Sequence, residues 1–340
     1  MIITVLASIL VFGVLITVHE LGHFLVAKAT GMKVDEFAIG FGPLIYQNKT
    51  PETIYSLRLI PLGGYNKIAG MDPEDDKETK DGFSSKPLLS RILVILAGSG
   101  MNFILPFILF FGIFAVSGMD MPVNEPIIGT VIPNEPASGA GMMPGDRVLA
   151  IGGTKIATWN DLLKVMQKNG AQETVFQVDR AGSVRDYKVT PVYNKESNRP
   201  LIGIVPRFEK KRLGVVEAAS TSFKYEARII VGMVMGLQKI LTGSSAAELS
   251  GPIGVAQMAG SVASQGILPL LSFIAFLSIN LAIINLLPVP ALDGGHFIVL
   301  LIEGVRGKPL PLIWQERIQM VGIALILMLT VFTTFKDITR

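Results

Sequence analysis

The sequence predicts a polytopic α-helical membrane protein with a separate α+β domain outside the bilayer. Half of the 340 residues are hydrophobic and 17% are charged, with a mean hydropathy of +0.51, too apolar for an ordinary soluble chain. Four uncharged apolar windows, Met1–Val18, Ile92–Val116, Ile267–Leu292 and Ile318–Phe335, are each of a length to cross a bilayer, which takes about 17–25 helical residues. Between the second and third, residues 124–193 change to short alternating stretches broken by Gly and Pro, the pattern of small strands. A net charge of +3 is too small to argue for nucleic acid, and no nucleic-acid partner is expected. The absence of cysteine excludes disulfides and thiolate ligands, so a metal site must draw on His, Asp or Glu.

The first window runs into a second pattern. His19-Glu20-Leu21-Gly22-His23 places three ionisable groups within five positions, and Phe24 to Ala27 resumes as apolar as before. On a helix, positions i and i+4 share a face, so His19 and His23 can point at one ion. Glu20, one residue along, can reach a water there, completing the H-E-x-x-H pattern of two imidazole ligands and a general base. Charged groups in a membrane helix cost about 2.5–3.5 kcal/mol each and mark functional sites by default. With no basic n-region and no cleavage site, the segment is expected to stay as a membrane helix.

Lys and Arg are concentrated in the loops between windows one and two and between windows three and four. That asymmetry puts both loops in the cytoplasm, the termini and the long middle segment outside, and the motif near the cytoplasmic end. Residues 34–70 read as strands. Ile54–Ile60 alternates in part, Pro61-Leu62-Gly63-Gly64 makes a turn, and Tyr65–Ile68 resumes, which predicts a small membrane-associated hairpin. Its open edge is a candidate to pair with an extended substrate, with Gly63 and Gly64 as contact positions. Residues 71–81 read as a solvated acidic loop. In the second window the small residues of Ala97-Gly98-Ser99-Gly100 suit close helix packing, and Asn102 suits an interhelical hydrogen bond.

In the middle segment, Ile127–Val131 reads as a strand, Ala137–Gly153 as a turn entering a strand, Trp159–Lys168 as a helix, and Thr174–Arg180 with Ser183–Val192 as a hairpin. The run Ala137 to Leu149, with its Gly-Asp before a strand, resembles a PDZ domain, which implies a groove for a peptide end or strand. Residues 209–250 read as a basic, partly amphipathic linker suited to a membrane interface, and Gly251-Pro252-Ile253-Gly254 as a turn before the third window.

That window ends in Asn285-Leu286-Leu287-Pro288-Val289-Pro290-Ala291-Leu292-Asp293-Gly294-Gly295-His296. The prolines stop the helix near Leu287. Irregular backbone at membrane depth survives where protein or a watered cavity covers it, which suits a metal site. A catalytic zinc takes three protein ligands and one open position. Asp293, the only acid in this stretch from Asn285 to His296, and His296 both stand where a third ligand could come from. Asn280 and Asn285 are about 140° apart around a helix, so only one is expected at the site, and Asn285 is nearer Asp293.

Together these residues resemble the bacterial site-2 proteases of the RseP type, zinc intramembrane metalloproteases, over nearly the whole chain. The resemblance implies Zn2+ held by His19, His23 and Asp293, Glu20 as base, and Asn280 and Asn285 in substrate handling. It implies single-span membrane substrates already trimmed outside by an upstream site-1 type protease, of the anti-sigma factor type, with signal-peptide remnants as a further class. It implies a multi-pass protein of the bacterial inner membrane, its PDZ domain extracytoplasmic and its active site near the cytoplasmic side. Two features depart from the family: Ser99 stands where many members have Pro, and the chain has room for one PDZ domain where the best-studied members have two. The expected organisation is a first span with the zinc motif (1–27), a cytoplasmic loop with the hairpin (28–91), a second span (92–116), the PDZ domain (117–208, core 124–193), the linker (209–266), a third span with its Asp-Gly-Gly turn (267–304) and a fourth span (305–340). Two other classes use the same features, a membrane metal transporter and a scaffold with an inactive site. Few polar residues along the spans outside the two motifs speak against the first, and a complete set of ligands and base against the second.

Overall fold

The computed structural model describes residues 2–71, 80–194, 199–243 and 251–339. The chain divides into two units, Met1–Ile113 with Val216–Arg340, and Phe114–Val215. Most of the acidic stretch expected as a solvated loop, 72–79, lies outside the described residues.

The first unit begins with α1 (Ile2–Ala29). Then come two long strands, β1 (Val34–Lys49) and β2 (Ile54–Ile68). The register departs from the expected hairpin. Glu36 to Ile39 pairs with Ile54–Leu57 on one side and with Gly64–Lys67 on the other, and 54–57 pairs outward again with Tyr46–Lys49. The order across the sheet is therefore 46–49, 54–57, 36–39, 64–67. The two halves of β2 expected to face each other are separated by the first half of β1. The reason is local: Pro61 and the glycines carry the chain around Phe41 rather than into a two-residue turn, and the ring of Phe41 fills the space where a Cβ on Gly63 (φ 152°) would stand. This leaves 64–68 as an open edge lying along α1, where Asn66 Nδ2 is 3.5 Å from Glu20 O. Helix α2 (Leu88–Ser117) follows.

The second unit is built of short elements: β3 (Met119–Pro122), β4 (Ile128–Val131), α3 (Pro136–Gly139), β5 (Arg147–Ile151), β6 (Thr154–Lys155), α4 (Trp159–Asn169), β7 (Thr174–Arg180), β8 (Ser183–Val189), β9 (Val192–Asn194), β10 (Arg199–Leu201), β11 (Ile204–Pro206) and β12 (Phe208–Lys211). Strands β6-β5-β7-β8 form one antiparallel sheet, and β4–β11, β9–β10 and β3–β12 form pairs. The expected strand to Val192 breaks after Val189 because Pro191 cannot donate to a ladder. Thr158 and Asp161 close a capping box at the start of α4, satisfying two orphan amides. Phe176, Leu162, Ile128, Ile151 and Ile202 are buried at its core. Arg180 Nε and Nη2 clamp the buried Asp146 carboxylate at 2.7 and 2.8 Å. Burial pushes that carboxyl up, but the hydrogen bonds from Arg180 and the Met143 amide outweigh it and hold it below the usual range.

The first unit resumes with α5 (Val215–Leu241), α6 (Pro252–Ser264), α7 (Ile267–Asn285), α8 (Asp293–Arg306) and α9 (Leu312–Thr339). Gly251–Gly254, expected as a turn, instead opens α6. Pro252 sits in the first turn, where its missing N–H is no loss. Asp337 near the end of α9 accepts the Gly251 and Gly254 amides at 3.0 and 2.8 Å, acting as a cap from another helix. Helices α6 and α7 pack on α1, with Ala7, Val11 and Leu15 clustered with Ala259 of α6 and Leu270 and Ile274 of α7. A second cluster joins Ala27, Val34, Ile68, Ile95 and Leu300. Four described helices, Ile2–Ala29, Leu88–Ser117, Ile267–Asn285 and Ile313–Thr339, are long and apolar enough to cross a membrane.

Candidate metal centre

Three segments converge. Helix α1 supplies His19 and His23 from one face, as their spacing requires. The turn between α7 and α8 supplies Asp293, now the first residue of α8. Helix α2 closes the third side, and Gly98 there is dictated by space: a Cβ would collide with His23 Nε2 and stand 2.7 Å from His19 Cε1. The Asp-Gly-Gly run has a similar origin, since a Cβ on Gly294 or Gly295 would overlap the carbonyl oxygens of Leu287 or Val289. Ala291 in this turn takes φ 69°, a left-handed conformation costing a residue with a Cβ about 1–3 kcal/mol.

His19 Nε2 and His23 Nε2 are 3.2 Å apart. Asp293 Oδ2 is 3.6 Å from the first and Oδ1 3.7 Å from the second, and the potential ligand atoms of the three residues lie within 4.8 Å of one another. Two ligand atoms each about 2.05 Å from a tetrahedral ion stand about 3.3 Å apart, so the spacing fits zinc with little adjustment. The proton arrangement fits too. His23 Nδ1 is 2.7 Å from Val94 O, which can only accept, so Nδ1 carries the proton and Nε2 presents a bare lone pair. Ser99 Oγ donates to Asp293 Oδ2 at 3.0 Å. His19 Nδ1 faces the side-chain amide of the fully buried Asn102 at 3.2 Å. Ligation through His19 Nε2 requires Nδ1–H, and hence an Asn102 amide turned with Oδ1 towards it. In that state two lone pairs and a carboxylate converge, a donor set suited to a divalent cation.

Glu20 and these ligands share the wall of a 340 Å³ cavity with Tyr65, Asn66, Asn285 and His296. Of the residues singled out in the sequence, His19, Glu20, His23, Asp293, Asn285 and His296 meet here, while Asn280 does not line the cavity. Gly64 adjoins it, since a Cβ there would lie 3.6 Å from Glu20 Cγ and 2.7 Å from Ala38 O. Gly63 packs on Phe41 instead. Tyr65 is held in place by Arg58, whose Nη2 donates to its hydroxyl at 2.8 Å and to Glu36 at 3.0 Å. Burial pushes the Glu36 carboxyl up, and the hydrogen bonds from Ser56, Tyr65 and Arg58 bring it below its ordinary range. Ser99 and Gly98 were legible only as small residues suited to helix packing; their contact with the site depends on which turn of α2 faces α1.

A helical membrane scaffold carrying two histidines, a carboxylate and a neighbouring glutamate in one cavity defines a metallopeptidase. The family comparison agrees: Peptidase family M50 matches residues 7–329, and the chain belongs to that family of site-2 metalloendopeptidases. It is 32% identical to the regulator of sigma-W protease RasP of Bacillus subtilis, covering 99% of this chain and 98% of that protein. It is 36% identical to a putative zinc metalloprotease of Fusobacterium nucleatum, covering 99% of both. Among solved structures it is similar to the PDZ domain of an SdrC-like protein from Listeria monocytogenes, at 12% identity and a TM-score of 0.23, over 26% of this chain and 93% of that one.

Proposed function

We propose that the protein is a zinc-dependent endopeptidase making the second, intramembrane cut in single-span proteins already shortened outside the membrane. The observation that carries it is the convergence of His19, His23 and Asp293 on one point beside Glu20. His19, His23 and Asp293 would hold the ion, which when bound supplies a Lewis acid for the scissile carbonyl and lowers the pKa of water. Glu20 accepts the proton of the attacking water on its carboxylate and returns it to the leaving amine. Asn285, which lines the same cavity, donates to the carbonyl oxygen as charge develops.

A transmembrane helix hides its carbonyls in its own hydrogen bonds, so the substrate must unwind before it is cut. The open edge of β2 at 64–68, lying along α1 beside Glu20, offers the unwound segment a strand to pair with. By analogy with the Bacillus subtilis relative, whose name makes it a regulator of sigma-W, the substrate class is an anti-sigma factor, with signal-peptide remnants as a second class. The loops that hold 28–91 and 307–311 face the cytoplasm in this reading. The Phe114–Val215 unit lies outside as a PDZ domain, its groove the 450 Å³ cavity between Leu162 and Met166 of α4 and Ile202 and Ile204. There it excludes untrimmed substrates or takes the new end made by the first cut.

The test is to purify the full chain, measure zinc, and assay cleavage of a single-span substrate by wild type and Glu20→Gln. Zinc retained with cleavage lost is expected. Unchanged cleavage in the variant rules the mechanism out.

A further inference from the structure

A second cavity, of 380 Å³, adjoins the one that holds the metal ligands. The two share Asn66, Met71, Ile95, Ala291 and His296 as a common wall. Beyond that wall the lining is mainly apolar, with Phe83, Val299, Leu300, Pro309 and Ile318 beside the polar Ser84, Gln315 and Gln319. Its far end is closed by Arg91 and Glu303, both mostly buried, at 12% and 14% exposure, and joined by two hydrogen bonds between guanidinium and carboxylate. The two charges offset each other, although Arg91 Nε and Asn66 Oδ1 keep no partner among the described residues, and the rest of the lining is mainly apolar. The edge of β2 runs past both spaces, with Asn66 at their junction and Met71 just after the strand.

The geometry points to this cavity as a side-chain specificity pocket: it takes one bulky apolar residue of the unwound substrate, on the side of the cut facing the Arg91–Glu303 pair. The inference rests on the proteolytic reading above. A chain paired along 64–68 with its scissile carbonyl at the metal ligands projects a neighbouring side chain through the shared wall. At 380 Å³ the pocket is within the range of ligand sites, about 300–1,000 Å³. A leucine, methionine or phenylalanine buries its apolar surface there, whereas an aspartate or lysine would give up its hydration against a mainly apolar wall. Val299, on α8 one turn beyond His296, is a pocket wall that contacts neither the ligands' cavity nor the base, so its size sets what fits.

The experiment uses the full chain in proteoliposomes and a single-span substrate whose cut has been mapped by mass spectrometry. The two residues on each side of the cut are varied in turn to Ala, Leu, Phe, Trp, Asp and Lys, against wild type, Val299→Phe and Val299→Ala. In wild type, one position facing the charged pair should favour Leu or Phe over Ala in kcat/KM by at least about tenfold, since each methylene in an apolar pocket is worth about 10–200-fold. Val299→Phe should invert that preference at that position alone, the ratio of Leu to Ala substrates being compared at equal zinc content. Val299→Ala should extend the preference to Trp, and it decides the matter alone if Val299→Phe does not accumulate. Unchanged preferences in zinc-loaded, active variants overturn the pocket while leaving the protease intact. So does a lipid chain retained there through purification with selectivity untouched. Loss of Glu20-dependent cleavage from wild type itself would strike instead at the proteolytic reading.

Discussion

Replacing Asn102 by Leu should weaken zinc binding by about 10–100-fold, the effect of removing an outer hydrogen-bond partner from a ligating histidine. That corresponds to about 1.4–2.8 kcal/mol. The magnitude follows from one contact: the Asn102 amide at 3.2 Å from His19 Nδ1, in a fully buried site. Leu keeps the branched outline of Asn but is bulkier, so the loss reports the hydrogen bond only in a variant whose fold is intact. Asn102→Asp makes the argument directional. A carboxylate can only accept, so it suits His19 Nδ1–H and the tautomer that presents Nε2 to a metal, and zinc should be held as tightly as in wild type or more so. If instead the Asn102 amide donates its N–H to a bare Nδ1, Asp would be as damaging as Leu. The assay is zinc retention during dialysis against graded chelator, with folding checked by gel filtration and circular dichroism. A folded Asn102→Asp that loses zinc alongside Asn102→Leu, or an Asn102→Leu that keeps it, refutes the proton assignment on which the metal-binding argument rests.

Gly98→Ala should abolish zinc retention while leaving the helical content unchanged, because the new methyl stands against both imidazoles; elemental analysis of the purified variant checks it. Arg180→Met leaves the buried Asp146 with only the Met143 amide and should destabilise the Phe114–Val215 unit at neutral pH, read as faster hydrogen exchange across β5 and β7. The sign with pH follows from the lowered Asp146 carboxyl. Its stabilisation is complete above the unfolded carboxylate value of about 3.9 and is lost as pH falls through the still lower folded value, so wild type and variant should converge in acid. Asp337→Ala removes the cap from α6 and should cost about 0.5–2 kcal/mol, seen as loss of exchange protection confined to the first turn after Gly251.

What could be read in the sequence was whatever depends on near neighbours. His19, Glu20 and His23 declare themselves because helical geometry alone sets their common face. The apolar windows declare four helices because a bilayer asks only for length and hydropathy. Pairings between distant segments were less visible. The glycines after Pro61 look like a hairpin turn, and nothing local says that residues 36–39 insert between the two halves of β2. Gly251-Pro252 reads as a breaker, yet proline is also a favoured start, and the deciding carboxylate of Asp337 arrives from 83 residues beyond Gly254. Ser99 and Gly98 follow the same logic: a serine and a glycine in an apolar helix say nothing about chemistry until α1 and Asp293 are brought against them.

The turn at 286–292 shows why that convergence is built as it is. A helix running on past Asn285 would satisfy its own carbonyls but carry Asp293 two further turns along the same axis, about 12 Å on at 1.5 Å per residue. Two prolines forbid this, and Ala291 accepts a left-handed conformation to complete the reversal. Gly294 and Gly295 then let α8 start in contact with the turn's own carbonyls, bringing the Asp293 carboxylate to 3.6 and 3.7 Å from the two imidazoles. The strain at Ala291 is thus the local cost of bringing the Asp293 carboxylate beside the two imidazoles. The same reversal opens the wall shared by the two cavities, since Ala291 and His296 line both. One irregular segment thereby shapes both the cavity that holds the two histidines and Asp293 and the cavity proposed above as a side-chain pocket.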